Sequence, residues 1–458
     1  MSRNFDAIII GAGQAGPSLA GRLTEAGRTV ALVERKLFGG TCVNTGCMPT
    51  KAMIASAYAI HTARRGAEYG MTTGPISADF ARVMARKEKV RLDARAGVES
   101  WLKNMNNCTV LEGHARFESP TEIRVGEELI SSEQVFLNVG ARAAVPDFAG
   151  IDEVSYLTNS SIMELNHLPG HLVIIGGSYI GLEFAQMFRR FGSEVTVIEK
   201  GPRLIAREDP DVSDAIRAIL EKEGVHIRLN AECIRFAKHP NGVAAGVDCT
   251  SGAPEVIGSD VLLATGRRPN TDDLGLDKAG VKTDARGYIE VDDFLRTNVP
   301  HISAMGECNG RGAFTHTSYN DFEIAAANLI DNDPRRVSDR IQTYALYIDP
   351  PLGRAGMTET EARKSGRKLM IGTRPMTRVG RAVEKGETQG FMKVIVDADT
   401  NEILGASILG TGGDEAIQSI LDVMYAKKPY TTILRAVHIH PTVSELIPTV
   451  FGDMSPAT

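Results

Sequence analysis

The sequence predicts an α/β fold: two strand–helix–strand units of one design, followed by a smaller α+β segment at the C-terminal end. Three observations predict it. The chain repeats itself, each repeat holds a glycine-rich turn closed by an acidic residue, and no such unit recurs after about residue 341.

The first unit and its copy come first in the argument. Residues 7–35 resemble residues 172–200, with Gly11, Gly16, Gly27 and Glu34 mapping onto Gly176, Gly181, Gly192 and Glu199 at a constant offset of 165. Each begins with an apolar, β-branched run; in the first copy a strand is predicted from Phe5 to Ile10. A glycine turn, an amphipathic helix, a glycine break and a second apolar strand follow. The glycines let the backbone turn tightly and approach a pyrophosphate seated at the helix N-terminus. The acid, 18 positions beyond the last glycine, accepts hydrogen bonds from an adenosine ribose. One such fingerprint is weak evidence, but two at one spacing are strong. The chain therefore reads as two Rossmann-like dinucleotide-binding domains. Ser178 departs from the pattern, standing where the first copy has Gly13, so a less close pyrophosphate approach is expected there.

Between the units runs Gly39-Gly40-Thr41-Cys42-Val43-Asn44-Thr45-Gly46-Cys47-Met48-Pro49-Thr50-Lys51. Residues five apart on an ideal helix have Cα atoms roughly 8–9 Å apart, beyond the reach of about 7 Å for a disulfide. Cys42 and Cys47 can close only in a distorted first turn or ahead of the helix, and Gly46 and Pro49 supply the irregularity. A thiolate at such an end feels the positive pole of the helix, which lowers its pKa. The pattern points to a redox-active dithiol. Two unrelated buried thiols or a zinc site are the alternatives, and no nearby Cys or His completes a usual zinc set.

Later elements follow in order. Tyr179 and Glu183 share a helix face, one turn apart. Leu262 to Asn270 predicts a buried strand ending in a glycine turn, and Ala304-Met305-Gly306-Glu307 presents a carboxylate. A helix is predicted from Phe314 through Ala325 to Leu329, with Thr317 or Ser318 as its N-cap. Beyond residue 341, strands are predicted at Tyr344–Ile348, Phe391–Val396 and Ile403–Leu409, the last two joined by the turn 397–401. A helix is predicted from Glu415 to Ala426. Near the end, His440 with Glu445 forms an imidazole–carboxylate pair suited to acid–base work, while Thr442 and Glu445 also have capping-box spacing.

The composition excludes several classes. A chain of 458 residues accommodates roughly three domains. Its 43% apolar and 24% charged content are ordinary for a soluble protein. A net charge of −6 offers no case for nucleic acid, and no basic run suggests a membrane surface. No apolar stretch approaches the roughly 20 residues of a membrane span, and the early first strand leaves no room for a signal peptide. Six cysteines do not make a secreted scaffold. A reducing cytoplasm is the expected setting, and no resident metal is expected.

The segment Gly39 to Lys51 resembles the active-site signature of the class I pyridine nucleotide-disulfide oxidoreductases, which include glutathione reductase, lipoamide dehydrogenase and mercuric reductase. The continuation Lys51-Ala52-Met53-Ile54 leans towards the mercuric reductase-like branch. The resemblance implies an FAD-binding domain with the redox disulfide over 1–150 and an NAD(P)-binding domain over 151–272. It implies a return to the central, FAD-binding part over 273–340 and a dimerisation domain over 341–458. By the same resemblance, Gly11, Gly13, Gly16, Glu34, Gly40, Thr41, Lys51, Gly140, Glu307 and Thr317 hold FAD, with Glu307 replacing the usual aspartate. Gly176, Tyr179, Gly181, Glu199 and Gly266 hold the nicotinamide coenzyme. Glu199 repels a 2′-phosphate and favours NADH over NADPH, although Lys200, Arg203 and Arg207 offset that in part.

The resemblance also assigns roles. Tyr179 covers the nicotinamide side of the flavin, and Glu183 pairs with Lys51 near flavin N5. Cys47 is the thiol nearer the flavin, and Cys42 exchanges with the acceptor. His440, oriented by Glu445, reaches the cysteine pair of the other subunit, so the implied assembly is a homodimer. His438 has a packing or secondary polar role. The remaining Cys108, Cys233, Cys249 and Cys308 are structural thiols.

The acceptor is a disulfide or a soft metal ion. No cysteine follows Cys308, so the C-terminal pair with which mercuric reductases collect Hg(II) is missing and efficient mercury handling is not expected. Soft ions can still reach Cys42 directly, and another soft or redox-active ion such as Cu(II) suits a bare dithiol. Dihydrolipoamide dehydrogenase is the nearest alternative. An NADH-binding sensor or scaffold is another, but it has no need of Cys42, Cys47, His440 and Glu445 together.

Overall fold

The computed structural model describes residues 2–232, 234–247 and 254–457; Cys233 and Cys249 lie outside the described residues. Apolar runs make strands; two parallel sheets and one six-stranded antiparallel sheet carry the architecture, and three smaller sheets of two to four strands complete the six among the described residues. The first parallel sheet has the order Ile302–Ala304, Val135–Leu137, Ala7–Ile10, Val30–Glu34 and Cys108–Glu112. The second has the order His226–Arg228, Glu194–Ile198, His171–Ile175 and Asp260–Leu263. Ile8, Ile9, Leu172, Val173 and Ile174 are fully buried, which is why these strands read as unbroken apolar runs. The helices Ala15–Glu25 and Tyr179–Phe191 follow the two glycine turns. In each unit the neighbours of the first strand connect in opposite directions, which opens a crevice at the strands' C-terminal ends.

The C-terminal sheet is a six-stranded antiparallel arrangement: Thr343–Leu346, Leu352–Gly356, Ile403–Leu409, Phe391–Asp397, Leu369–Pro375 and Ser455–Pro456. The helix Gly413–Tyr425 packs on it through Ala416, Ile417 and Ile420. Among the described residues, no helix is long and apolar enough to cross a membrane.

Several boundaries differ from the sequence expectation. The strand expected over Tyr344–Ile348 is Thr343–Leu346, that over Phe391–Val396 extends to Asp397, and the helix expected over Glu415–Ala426 is Gly413–Tyr425. Four further differences stand out. The strand expected from Phe5 to Ile10 is Ala7–Ile10, preceded by a separate two-residue strand, Arg3–Asn4, with the Asp6 N–H donating to the Thr29 hydroxyl at 3.1 Å between them. The expected strand from Leu262 to Asn270 is two strands in different sheets. Asp260–Leu263 ends at a turn through Gly266 (φ +113°), and Arg267–Pro269 then pairs antiparallel with Ala141–Ala143. The helix expected over Phe314 to Leu329 is α-helical only over Thr315–Ala326 and continues as a π-helical turn, Ala327–Asp331. Neither Thr317 nor Ser318 is its N-cap. Phe314 holds that place, and its N–H donates to Thr317 Oγ1 at 3.2 Å.

Candidate active site

The two glycine turns are built alike. A Cβ at Gly11 would lie 2.3 Å from the Asn138 carbonyl oxygen, and one at Gly16 would lie 2.3 Å from that of Gly11. In the second unit, a Cβ at Gly176 would meet Ala264 O at 2.4 Å, and one at Gly181 would meet Gly176 O at 2.1 Å. Gly11 (φ +108°) and Gly176 (φ +112°) also need a backbone that side chains rarely adopt. Ser178, by contrast, is extended (φ −109°, ψ −171°), a conformation open to any residue. Gly40 packs edge-on against the first turn, where a Cβ would sit 2.8 Å from Gly13 Cα.

The acidic residues close these cradles identically. Glu34 accepts from the N–H groups of Ala12 (2.9 Å) and Lys36 (2.8 Å), and Glu199 from those of Gly177 (2.6 Å) and Gly201 (2.7 Å). Each carboxylate is thereby oriented with lone pairs to spare. The cradles, with helix N-termini behind them, fit the pyrophosphate and ribose of two dinucleotides.

The cysteines sit where the chain changes helix. Cys42 belongs to the short helix Gly40–Asn44, Gly46 breaks the backbone (φ −131°, ψ −119°), and Cys47 opens the helix Cys47–Arg64 with Pro49 in its first turn. This is the irregularity that the spacing demanded. Both are free thiols here. Cys47 is drawn down to about 6, chiefly by the hydrogen bond from Cys42; burial opposes this, and the Thr315 hydroxyl at 3.1 Å and the Lys51 charge assist it. Cys42 is pushed up in turn, first by that same hydrogen bond and then by burial. Burial pushes Cys108 up to about 11 and Cys308 up to about 12, so these two are poor nucleophiles at neutral pH.

Lys51 and Glu183 meet at 2.7 Å, although 132 residues separate them. Glu183 is buried, so the pair is no surface ion bridge. On the same helix, one turn away, Tyr179 packs edge-on against Phe314 and Tyr344, and the Arg207 guanidinium lies over both tyrosine rings at 5.2 and 5.6 Å. Burial raises the Tyr179 phenol to about 12.

Other expected residues lie in varied surroundings. Glu307 accepts from Arg267 Nε at 2.6 Å, and Thr317 is buried at the start of its helix. Gly140 (φ +63°) and Gly266 (φ +113°) both end strands at open turns, and Thr41 is exposed. His440 Nδ1 is 2.9 Å from Glu445, with the imidazole 80% exposed. Among the described residues it makes no hydrogen bond to Cys42 or Cys47 of its own chain. The Glu445 N–H donates to Thr442 Oγ1 at 3.2 Å, but the short helix Ser444–Leu446 has Val443 at its N-cap, so the expected capping box does not form. His438 is half-exposed, and its Nδ1 lies 3.3 Å from the Ala436 carbonyl.

Sequence reasoning passed over Asn138, Thr315 and Tyr347. Asn138 Nδ2 donates to Gly11 O at 3.1 Å and so props the first turn. A signal for it existed, since Phe136 to Gly140 follows the same strand-then-glycine pattern as Leu262 to Gly266. Thr315 and Tyr347 reach the site only through tertiary contacts.

Comparison with known proteins agrees with this architecture. Residues 5–321 match the family model for pyridine nucleotide-disulphide oxidoreductases, and residues 343–451 match that for the dimerisation domain of the same proteins. The chain is 37% identical over 456 residues to the probable pyridine nucleotide-disulfide oxidoreductase RclA of Escherichia coli strain K12, covering 98% of this chain and 99% of the relative. It is 31% identical to a mercuric reductase of Streptomyces lividans (97% and 94% covered) and 31% identical to a dihydrolipoyl dehydrogenase of Thermus scotoductus (97% and 96%). A solved structure, the Cu(II) complex of the HOCl-induced flavoprotein disulfide reductase RclA from Escherichia coli, superposes with a TM-score of 0.90 at 36% identity, covering 99% of both chains. The paired cradles, the dithiol and the C-terminal domain thus have one common explanation: this chain belongs to the class I pyridine nucleotide-disulfide oxidoreductases, flavoprotein enzymes of the FAD and NAD(P) type.

Proposed function

We propose that this enzyme takes electrons from NADH and delivers them through the Cys42–Cys47 pair to a soft metal ion, with Cu(II) the favoured acceptor. The single observation that carries the reading is the Cys42–Cys47 dithiol placed at a helix break, with Cys47 Sγ 3.1 Å from the Thr315 hydroxyl and the Lys51 charge, paired with Glu183, bearing on it. When bound, FAD supplies the two-electron relay between coenzyme and dithiol. Gly11, Gly13, Gly16, Glu34, Gly40, Thr41, Gly140, Glu307 and Thr317 would hold it. Gly176, Gly181, Glu199 and Gly266 would hold the coenzyme, with Tyr179 shielding its nicotinamide place. Glu183 anchors Lys51 so that a positive charge stays fixed where negative charge gathers during transfer.

On reduction, Cys47 remains as thiolate and Cys42 faces the acceptor. His440 of a second copy, oriented by Glu445, handles the Cys42 proton. This assignment suits a homodimer, in which a histidine left 80% exposed in one chain gains a partner. For Cu(II) the balance is NADH + 2 Cu(II) → NAD⁺ + H⁺ + 2 Cu(I), each NADH reducing two ions by one electron each. NADH is favoured because Glu199 faces the ribose place, while Arg207 is engaged over two tyrosine rings.

A copper complex of the similar RclA structure supports Cu(II) over Hg(II). The His440–Glu445 pair suits disulfide exchange and keeps dihydrolipoamide as the second reading. The deciding experiment is anaerobic NADH oxidation with Cu(II), Hg(II) and lipoamide, with Cys42→Ser as control. Turnover with Cu(II) that disappears in Cys42→Ser is expected. Turnover with lipoamide alone would overturn the metal reading.

A further inference from the structure

The C-terminal sheet sends one residue back to the redox pair of its own chain. The edge strand Thr343–Leu346 ends there, and Tyr347 follows at once. The Tyr347 N–H donates to Glu183 Oε1 at 3.1 Å, while the other oxygen of that carboxylate takes Lys51 Nζ at 2.7 Å. The Lys51 ammonium also lies over the Tyr347 ring, 4.6 Å from its centre. One residue therefore touches both members of the ion pair, the acid through its backbone and the lysine through its ring face.

The surroundings make this contact consequential. Lys51 is about one-third exposed, and a lysine carries four rotatable bonds, so a single ion pair leaves it other orientations. An aromatic face beneath the ammonium removes many of them. Burial raises the Tyr347 phenol, and the Asp414, Glu183 and Cys47 charges raise it further, which sets the ring among the groups of the redox site. The Lys51 charge bears on Cys47, and a Coulombic influence at this range weakens with every ångström of drift.

We propose that Tyr347 is a positioning residue: its ring holds the Lys51 ammonium, and its N–H holds the Glu183 carboxylate, where the pair acts on Cys47. The inference rests on the reading of Cys47 as the redox thiol. It gives the C-terminal domain a role in the active site of its own chain, separate from the one assigned to His440.

The test uses Tyr347→Leu and Tyr347→Phe in a Cys42→Ser background, where only Cys47 remains of the pair. Iodoacetamide alkylation of the Cys47 peptide is followed by mass spectrometry between pH 5 and 9. Every variant keeps the backbone N–H, so the comparison isolates the ring. Loss of the ring is expected to slow alkylation at pH 6.5 about three- to tenfold, and Phe is expected to restore it to within twofold. Equal rates for Leu, Phe and the parent would overturn the proposal, as would an equal loss in Phe and Leu, which would assign the effect to the hydroxyl. In a Lys51→Met background the Leu substitution is expected to change nothing further; a continued loss there would mean a structural disturbance and would also overturn it. Anaerobic reductive titration of the native holoenzyme judges the underlying function separately. Uptake of four electrons per FAD supports the dithiol reading, whereas uptake of two would defeat that reading and leave the alkylation profile to decide Tyr347.

Discussion

The Cys47 sulfur lies 3.1 Å from the Thr315 hydroxyl, bringing together the first residues of two helices, Cys47–Arg64 and Thr315–Ala326, that are 268 positions apart. Both helices begin at the same point in space, so two positive poles converge on one sulfur. A thiolate is the species that such a place stabilises.

Replacing Thr315 with Val tests this contact. A lost hydrogen bond to a charged sulfur costs about 1.5–3 kcal/mol, or roughly one to two pKa units. The sign is clear: Cys47 stands below its ordinary value, so its thiolate is present above about pH 6 and is lost below it. The variant should move that midpoint upward, slowing alkylation near pH 6–7 while leaving the rate above about pH 9 nearly unchanged. A pH profile of Cys47 alkylation checks it; an unmoved midpoint would refute the role of Thr315.

Cross-subunit catalysis has a direct test in mixed dimers. Cys42→Ser and His440→Ala homodimers should both lose at least about a hundredfold in acceptor turnover. A heterodimer of the two restores one site, pairing the intact Cys42 of one chain with the intact His440 of the other. It should regain about half of native activity per dimer. If His440 acted within its own chain, the mixed dimer would stay inactive.

Coenzyme choice should respond to Glu199. Its carboxylate, held by Gly177 and Gly201 N–H groups, is expected to accept the ribose hydroxyls and repel a 2′-phosphate. Glu199→Ser should raise KM for NADH about tenfold and lower that for NADPH, with kcat little changed. Steady-state kinetics with both coenzymes checks this, and an unaltered NADH/NADPH ratio would count against the assignment.

Stability should depend on a buried pair between the second unit and the C-terminal domain. Arg354 (1% side-chain exposure) binds Glu208 (0%), which also accepts from the Tyr344 hydroxyl. Arg354→Met leaves a buried carboxylate without its cation, an expected loss of about 3–5 kcal/mol. Arg354→Met combined with Glu208→Gln should recover part of it. Urea unfolding of the two variants measures the difference.

Much of the site was legible because its chemistry is local. The glycine turns need particular backbone angles within six residues, and Glu34 and Glu199 return to those same turns through backbone N–H groups. Cys42 and Cys47 announce a helix break by spacing alone. Glu183 shows where local reading stops: without the family resemblance that pairs it with Lys51 it is an ordinary helix charge, and its burial against Lys51 is a tertiary contact that no local pattern encodes. Strand ends misread for the same reason, since Gly266 transfers the chain between sheets according to which neighbour, Ala141–Ala143, happens to be near.

The sequence by itself determined the two α/β units, their cradles, the dithiol and the His440–Glu445 pair, because hydrophobic period, glycine conformation and short-range hydrogen bonds are written within a few residues. Only the tertiary structure decided that Thr315 meets Cys47, that Asn138 props the first turn and that Tyr347 holds Lys51. Those contacts span more than a hundred residues each. They exist because packing of separate apolar cores fixes which helix ends and strand ends come together, and no local periodicity encodes that choice.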